Sequence, residues 1–346
     1  MDLNNMSMKN GPVITVFMAM YNGEKYVQEA VNSVLNQPYP HFELLIIDDG
    51  SVDNSFKIVS AIKDDRIRVL QNETNSGLYK TRNRGVKEAR GEYFAILDCD
   101  DVALKDRLKA PLEFLEQNKD YVACFGLSQF IDSEGKALPS HHMFAGKHEW
   151  ASVLSFFYNP FVNSASLIRT EVLRQFGYRE GYEPVEDYDL MQRMIADGKV
   201  AILSKKLIKY RLHNSNISNI QGQKGAERHK KIIRTTLERF NPEDIELAVN
   251  RHYALYLRSL SDFSLKEIEE WLFFLLKTNK ELKIYPERLF KKAISFEWMK
   301  MIYGNKSSAN IMYGIRSKLF SMEGGMFFLN LSLIAIKERL SGISRK

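Results

Sequence analysis

The 346-residue chain carries 49 Lys and Arg against 43 Asp and Glu, and 45% of it is apolar, enough for one large domain or a domain with a substantial appendage. That composition excludes a disordered or fibrous chain, and no apolar run reaches the roughly 20 residues that a membrane-spanning helix needs. The two cysteines, Cys99 and Cys124, lie in apolar runs, which argues against a disulfide framework and for a reducing, cytoplasmic setting.

Residues 1–11 are polar and Met/Asn-rich with no apolar centre, so they read as a short disordered lead and not as a signal peptide. Residues 13–19 are a β-rich apolar run broken by Met20-Tyr21-Asn22-Gly23. A helix follows over 24–37, with apolar residues at Tyr26, Val27, Ala30, Val31, Val34 and Leu35, and Pro38 closes it. The strand at 42–47 ends in Asp48-Asp49-Gly50-Ser51 and leads to a helix over 53–63, then a shorter strand over 66–70. After the turn Asn75-Ser76-Gly77, residues 78–89 form a helix bearing Lys80, Arg82, Arg84 and Lys87. Residues 93–97 are a buried strand that stops at Asp98-Cys99-Asp100-Asp101.

Further elements are a helix over 104–117, a strand over 121–126, a hairpin turn at Asp132-Ser133-Glu134-Gly135, an aromatic stretch over 150–158 and a return to the sheet over 160–168. Glu186-Asp187 opens a helix reaching about Ala196, and one or two strands over 200–210 run into Arg211-Leu212-His213. From about Gly222 the texture is helical, with Lys, Arg, Leu, Phe and Tyr prominent. The polar stretch 214–219 is the linker, which places one domain at 12–220 and a basic helical region at 221–346. From Gln223 onward Lys and Arg outnumber Asp and Glu 23 to 14, against 26 to 29 before it.

Strand alternating with helix predicts an α/β fold, a mostly parallel sheet covered on both faces, with ligands beyond the carboxyl ends of its strands. The loaded turns at Tyr21-Asn22, Asp48-Asp49 and Asp98 to Asp101 should then share one rim. Side chains on a strand alternate with period two, so Asp98 and Asp100 project to one side and Cys99 to the other. Two hard oxygen ligands there suit Mg²⁺ or Mn²⁺ that is also held by substrate phosphates. The competing reading makes these acids solvated turn residues or N-caps of a helix near Leu104. The Arg82 guanidinium suits a bidentate phosphate contact, while Lys80, Arg84 and Lys87 read as a solvated basic face.

Taken in order, the strand into Met20-Tyr21-Asn22, Ile47-Asp48-Asp49-Gly50-Ser51 with Asp53, residues 75–83, Asp98-Cys99-Asp100-Asp101 and Glu186-Asp187 resemble the inverting family 2 glycosyltransferases of GT-A type over residues 12–213. That resemblance implies a GT-A sheet with a C-terminal α-helical appendage. It also implies a nucleotide-diphosphate sugar donor, UDP-linked, and a hydroxyl acceptor on a glycan or lipid-linked saccharide in bacterial surface polysaccharide assembly. By the same resemblance, Asp49 accepts from a uracil imide and Tyr21 lines the base. Asp98 touches the ribose or the metal through water, Asp100 binds Mn²⁺ or Mg²⁺, and Asp101 is placed to share that role. Asp187 becomes the base that deprotonates the acceptor, with Asp189 as its neighbour, and the Tyr210-Arg211-x-His213 pattern brings His213 to metal or phosphate. Leu78-Tyr79 stands where the family commonly has Leu-Ser. The rivals are a sugar nucleotidyltransferase, whose Gly-rich first loop this chain lacks, and a non-catalytic nucleotide-sugar-binding protein. In the tail, residues 271–276 and 326–336 beside Lys337, Arg339, Arg345 and Lys346 read either as interfacial helices on a membrane surface, attaching the protein peripherally to the inner face of the cell membrane, or as a packed appendage. Nothing in it resembles a nucleic-acid module.

Overall fold

The central strand β1 (Ile14–Met20) is apolar at every position but Thr15, because both of its faces are covered; the Thr15 hydroxyl is buried and donates to Glu43 Oε1 (2.7 Å). Ile14, Val16 and Met18 join one core with Val27, Ala30 and Val31 of helix α1 (Val27–Leu35), and Phe17 joins a second with Val86 of the helix at Leu78–Glu88 and with Leu173 and Met191. This is the period of two expected of a strand, with apolar residues required on both sides.

The computed structural model describes residues 12–139, 145–214, 223–305 and 307–320. The lead at 1–11, the linker and the 220/221 boundary, and the apolar run 326–336 with the basic residues after it lie outside the described residues. Two units are distinguished: residues 1–151 with 160–228, and residues 152–159 with 229–346.

The first unit holds an eight-stranded mixed sheet. β1 pairs in parallel with β2 (Phe42–Asp48), with Met20 opposite Asp48, and β2 pairs with β3 (Ile67–Gln71). On its other side β1 pairs in parallel with β4 (Tyr93–Ile96), Phe17 opposite Ile96. Beyond β4 the sheet continues through strands absent from a purely parallel pattern. The two-residue β5 (Val102–Ala103), β6 (Tyr121–Ile131), β7 (Ser166–Arg169) and β8 (Lys199–Arg211) complete the order β3-β2-β1-β4-β7-β6-β8-β5. β6 does not stop near Gly126 as expected. It runs on to Ile131, paired with β8 as far as Ile131 opposite Arg211, and Leu207 of β8 packs where a side chain at Gly126 would stand. β8 is a single strand whose register against β6 shifts between Phe125 and Leu127, which accounts for its divided appearance in the sequence.

The covering helices are α1, α2 (Ser55–Ala61), α3 (Leu78–Glu88), α4 (Lys109–Gln117), α5 (His148–Phe157), α6 (Thr170–Phe176) and α7 (Glu186–Asp197). Since β1, β2 and β4 run parallel, their C-terminal turns open on the same rim: Asp49 N–H donates to Met20 O (2.8 Å) and Leu97 N–H to Phe17 O (3.0 Å).

The second unit is helical: α8 (Gln223–Leu237) enters it, and α9 (Ile245–Leu257), α10 (Leu265–Leu282), α11 (Glu287–Gly304) and α12 (Ser308–Arg316) follow. A capping box starts α10, with Ser264 and Glu267 each bonding the other's backbone. Trp271, Leu272 and Leu275 are buried, so one side of the 271–276 run packs as core within this unit, while Phe273 is left 38% exposed. Phe156, Phe240 and Phe290 form its aromatic centre, with ring centroids 5.0–5.9 Å apart. Among the described residues no helix is long and apolar enough to cross a membrane.

Two histidines are buried in that unit. His252 Nε2–H donates to Phe156 O (2.9 Å), and His229 stacks on Tyr256 at 3.9 Å. Burial pushes both down to about 4, with mutual repulsion adding to the effect at His229. An unfolded chain takes up these protons below about pH 6.5, whereas the native chain refuses them until about pH 4. Stability should therefore be full at neutral pH and fall as pH drops from 6.5 toward 4, by up to about 3 kcal/mol per histidine. Urea melts across that range measure it. His252→Gln, which keeps a donor for Phe156 O and cannot titrate, should flatten the decline.

Candidate functional site

The first two turns on the rim are stitched to each other. Ser51 Oγ accepts from Asn22 N–H (2.9 Å), Asn22 Oδ1 from Val52 N–H (3.0 Å), Ser55 Oγ from Gly23 N–H (2.7 Å) and Asp53 Oδ2 from Glu24 N–H (3.1 Å). Tyr21 is left 47% exposed on this rim, an open aromatic face and not a core residue.

Asp48 and Asp49 have different tasks. Asp48 is fully buried and takes the Ser51 hydroxyl (2.5 Å) and Gln71 Nε2–H (2.9 Å), which closes the turn. Gly50 has φ +75°, and a Cβ there would stand 2.7 Å from the Thr74 carbonyl carbon, so only glycine lets this turn lie against residues 74–75. That close approach brings Asp49 to Ser76. Asp49 Oδ1 accepts from Asn72 Nδ2 (2.6 Å), Ser76 N–H (3.0 Å) and Ser76 Oγ (2.8 Å), Oδ2 accepts from Gly77 N–H (3.0 Å), and the Thr81 hydroxyl also bonds this carboxylate. Burial by itself would raise this carboxyl, but the bonds from Ser76 and Asn72 outweigh it and hold Asp49 below its ordinary value. Arg84, expected in a solvated face, donates to Gln71 O (2.9 Å) and to Asn72 Oδ1, which turns the Asn72 amide N–H toward Asp49.

The third turn departs from the expected geometry. β4 ends at Ile96, and residues 98–101 form a turn closed by Asp101 N–H to Asp98 O (3.1 Å), so strand alternation does not arrange Asp98 and Asp100. Nor do these acids cap a helix: α4 begins only at Lys109, and no side chain caps it. Asp98 N–H donates to Ser164 Oγ (3.1 Å), whose hydroxyl donates back to Asp98 Oδ2 (3.0 Å).

Asp100 Oδ2 meets His213 Nε2 at 2.8 Å. Burial and the neighbouring Asp98 charge raise Asp100 above its ordinary value against the pull of His213. Asp101 is tied down elsewhere, accepting Arg211 N–H on Oδ1 (2.9 Å). The buried Arg211 also donates through Nε to Asp100 O (2.8 Å) and through Nη2 to Glu29 (2.5 Å), and it lies over the Tyr26 ring. The end of β8 is thereby bolted to the acidic turn, which is what carries His213 there.

Arg82 joins the acidic turn to the start of α7. It is 5% exposed; Nη1 donates to Glu186 Oε1 (2.5 Å), Nη2 stands 3.7 Å from Asp98 Oδ1, and the guanidinium lies over the Tyr178 ring. Burial alone would lower Arg82, but Glu186, Tyr178, Asp98 and Asp187 outweigh it and push it up. The next acid, Asp187, accepts Tyr188 N–H (2.7 Å), and burial followed by the Asp98 charge raises it despite the opposing pull of Arg82. Asp189, the neighbouring alternative, is buried and held by Arg179 and by Arg193 (2.9 Å), so it orders the loop before α7.

The structure thus unites Asp98 with the Glu186-Asp187 start through Arg82, and Asp100 with His213. A carboxylate beside an imidazole fits Mn²⁺ or Mg²⁺ whose remaining positions belong to water and phosphate oxygens. Among the described residues no three His, Cys, Asp or Glu side chains gather as a self-sufficient metal cluster. Sequence reasoning missed Asn72 and Ser76 under Asp49, Ser164 under Asp98 and the clamp made by Arg211. Of these only Ser76, in an Asn-Ser-Gly turn, had a local signal.

A family described as glycosyl transferase family 2 matches residues 15–177. An uncharacterised glycosyltransferase of Methanocaldococcus jannaschii is 34% identical over 224 residues, covering 62% of this chain and 76% of that protein. One from Haemophilus influenzae is 29% identical over 288 residues, covering 80% and 85%. The crystal structure of Staphylococcus aureus TarS 1-349 in complex with UDP-GlcNAc superposes with a TM-score of 0.57 at 22% identity, covering 84% of this chain and 88% of that one.

Removing one partner of a buried ion pair leaves an uncompensated charge. Arg82→Met should therefore cost about 3–5 kcal/mol of stability, while Arg82→Met with Glu186→Leu should recover much of that loss. Thermal and urea unfolding of the single and double variants measures the difference.

Proposed function

Because the chain belongs to glycosyltransferase family 2, we propose that it moves a sugar from a UDP-linked donor to a hydroxyl of a glycan or lipid-linked saccharide with inversion at the anomeric carbon. The sheet and its helical appendage are of the GT-A type. The observation that carries the reading is the placement of Arg82 between Asp98 and Glu186-Asp187, which sets a donor-side acid and a candidate base in one site.

For the base moiety, Asp49 is an ionised acceptor of the kind an imide N–H requires, its Oδ2 accepting Gly77 N–H; Tyr21 offers the ring on the same rim. The TarS complexes with UDP-GlcNAc and UDP support a uridine donor. On the sugar side, Asp187 takes the proton of the acceptor hydroxyl. The acceptor oxygen then bonds to the anomeric carbon from the face opposite the diphosphate, and the breaking C–O bond leaves its electron pair on the diphosphate. Arg82 Nη2, on the Asp98 edge, is placed to stabilise that negative charge. Asp100 and His213 would hold Mn²⁺ or Mg²⁺, with Asp98 at the ribose; the cation supplies charge neutralisation on the departing diphosphate. The match to a putative teichuronic acid biosynthesis glycosyltransferase of Bacillus subtilis, 41% identical over 106 residues, supports a cell-surface polysaccharide acceptor.

A panel of nucleotide sugars, scored by thermal stabilisation and by Mn²⁺-dependent hydrolysis, tests the donor. UDP and one or more UDP-sugars should raise the melting temperature and be turned over, and a panel in which only other nucleotides act would overturn the assignment. Asp187→Asn should lower kcat about 10³-fold with donor KM within a few-fold. Because the base works only when ionised and its carboxyl is raised, kcat should fall with decreasing pH along a limb lying above the ordinary aspartate range. A pH–rate profile at saturating donor locates it.

A further inference from the structure

The antiparallel ladder between β4 and β7 ends at Ala95 opposite Leu167, two residues short of the acidic turn. Arg107 fills the opening. Its Nη2 donates to Ile96 O (2.8 Å) and Ser166 O (2.7 Å), and its Nε donates to Ser164 O (3.0 Å). It is 2% exposed, its described hydrogen-bond partners are three carbonyl oxygens with no carboxylate, and burial lowers it to about 10, which still leaves it charged at neutral pH. A buried charge held only by carbonyl dipoles is costly, so its position has to be secured by what it ties together. It ties the end of β4 to the short turn Asn163–Ala165.

That turn carries Ser164, 1% exposed, whose hydroxyl oxygen accepts Asp98 N–H while its proton faces Asp98 Oδ2 (3.0 Å) and lies within reach of the Asp101 carboxylate as well. Asp98 Oδ1 is thereby turned toward Arg82 at 3.7 Å, short of direct contact. We propose that Ser164, anchored by Arg107, is a positioning residue for Asp98: it fixes the rotation of that carboxylate and keeps it from closing fully onto Arg82, so that Asp98 stays presented to the donor. The inference rests on the nucleotide-sugar reading above and adds to it a residue that acts through Asp98.

Ser164→Ala removes the hydroxyl with little change of volume. In the full-length protein it should weaken UDP binding, measured by titration calorimetry with Mn²⁺, about tenfold and raise donor KM by the same factor, with kcat within threefold. With Asp98 already replaced by Ala, the same substitution should change neither constant further, because its effect passes through Asp98. Arg107→Lys should show the same dependence on Asp98, in addition to a lower melting temperature. A purely structural role predicts a fall in melting temperature with unchanged UDP affinity. That result, or a loss that persists undiminished in the Asp98→Ala background, overturns the proposal. Failure of the unaltered protein to bind UDP overturns the donor assignment and this inference with it, and so is told apart from failure of the positioning role alone.

Discussion

One buried guanidinium holds the site together. Arg82 sits on α3, Asp98 just past β4 and Glu186 at the first residue of α7, so three stretches far apart in the chain meet at a single charge. Burying that charge is unfavourable by itself; the two carboxylates and the Tyr178 face offset the cost only in one arrangement of the three elements. An ion pair of this kind contributes less to net stability than to uniqueness of geometry. Here the geometry sets the spacing between Asp98 and the Glu186-Asp187 start of α7.

The same acids work under different electrostatic regimes. Asp49 is held ionised by donors aimed at it, whereas Asp187 and Asp100 are raised by burial and by like charge. A low value suits a group that only accepts hydrogen bonds, and a raised one suits a group that must take a proton. At Asp49 the hydrogen bonds outweigh burial, whereas at Asp187 burial outweighs the backbone N–H of Tyr188.

The architecture was legible wherever a local period or a turn residue carried it. β1, β2, β4, α1 and α3 match their expected positions to within a few residues because apolar spacing is set by the sheet they cover. β5, two residues long, offered too little periodicity to be seen, and α6 follows β7 directly at Thr170 with no turn residue to mark its start. The arrangement of Asp98 and Asp100 was misjudged because apolar continuity does not show where a strand stops hydrogen bonding. Burial of Trp271, and the grouping of residues 152–159 with the C-terminal helices, depend on tertiary packing that no window of sequence contains. Ser164 and Arg107 were invisible for the same reason: a serine and an arginine with no patterned neighbours acquire roles only when the chain returns to them.

The bonds from the backbone N–H groups of Asn22, Gly23 and Glu24 to the side chains of Ser51, Ser55 and Asp53 make the first two rim loops one object, although 29 to 32 residues separate the partners. Chimaeras in which either loop alone is exchanged for that of a relative would break donor–acceptor matches on the other. Engineering of nucleotide preference in this scaffold therefore has to transplant the pair as a cassette, and natural divergence at one loop is constrained to be accompanied by change at the other.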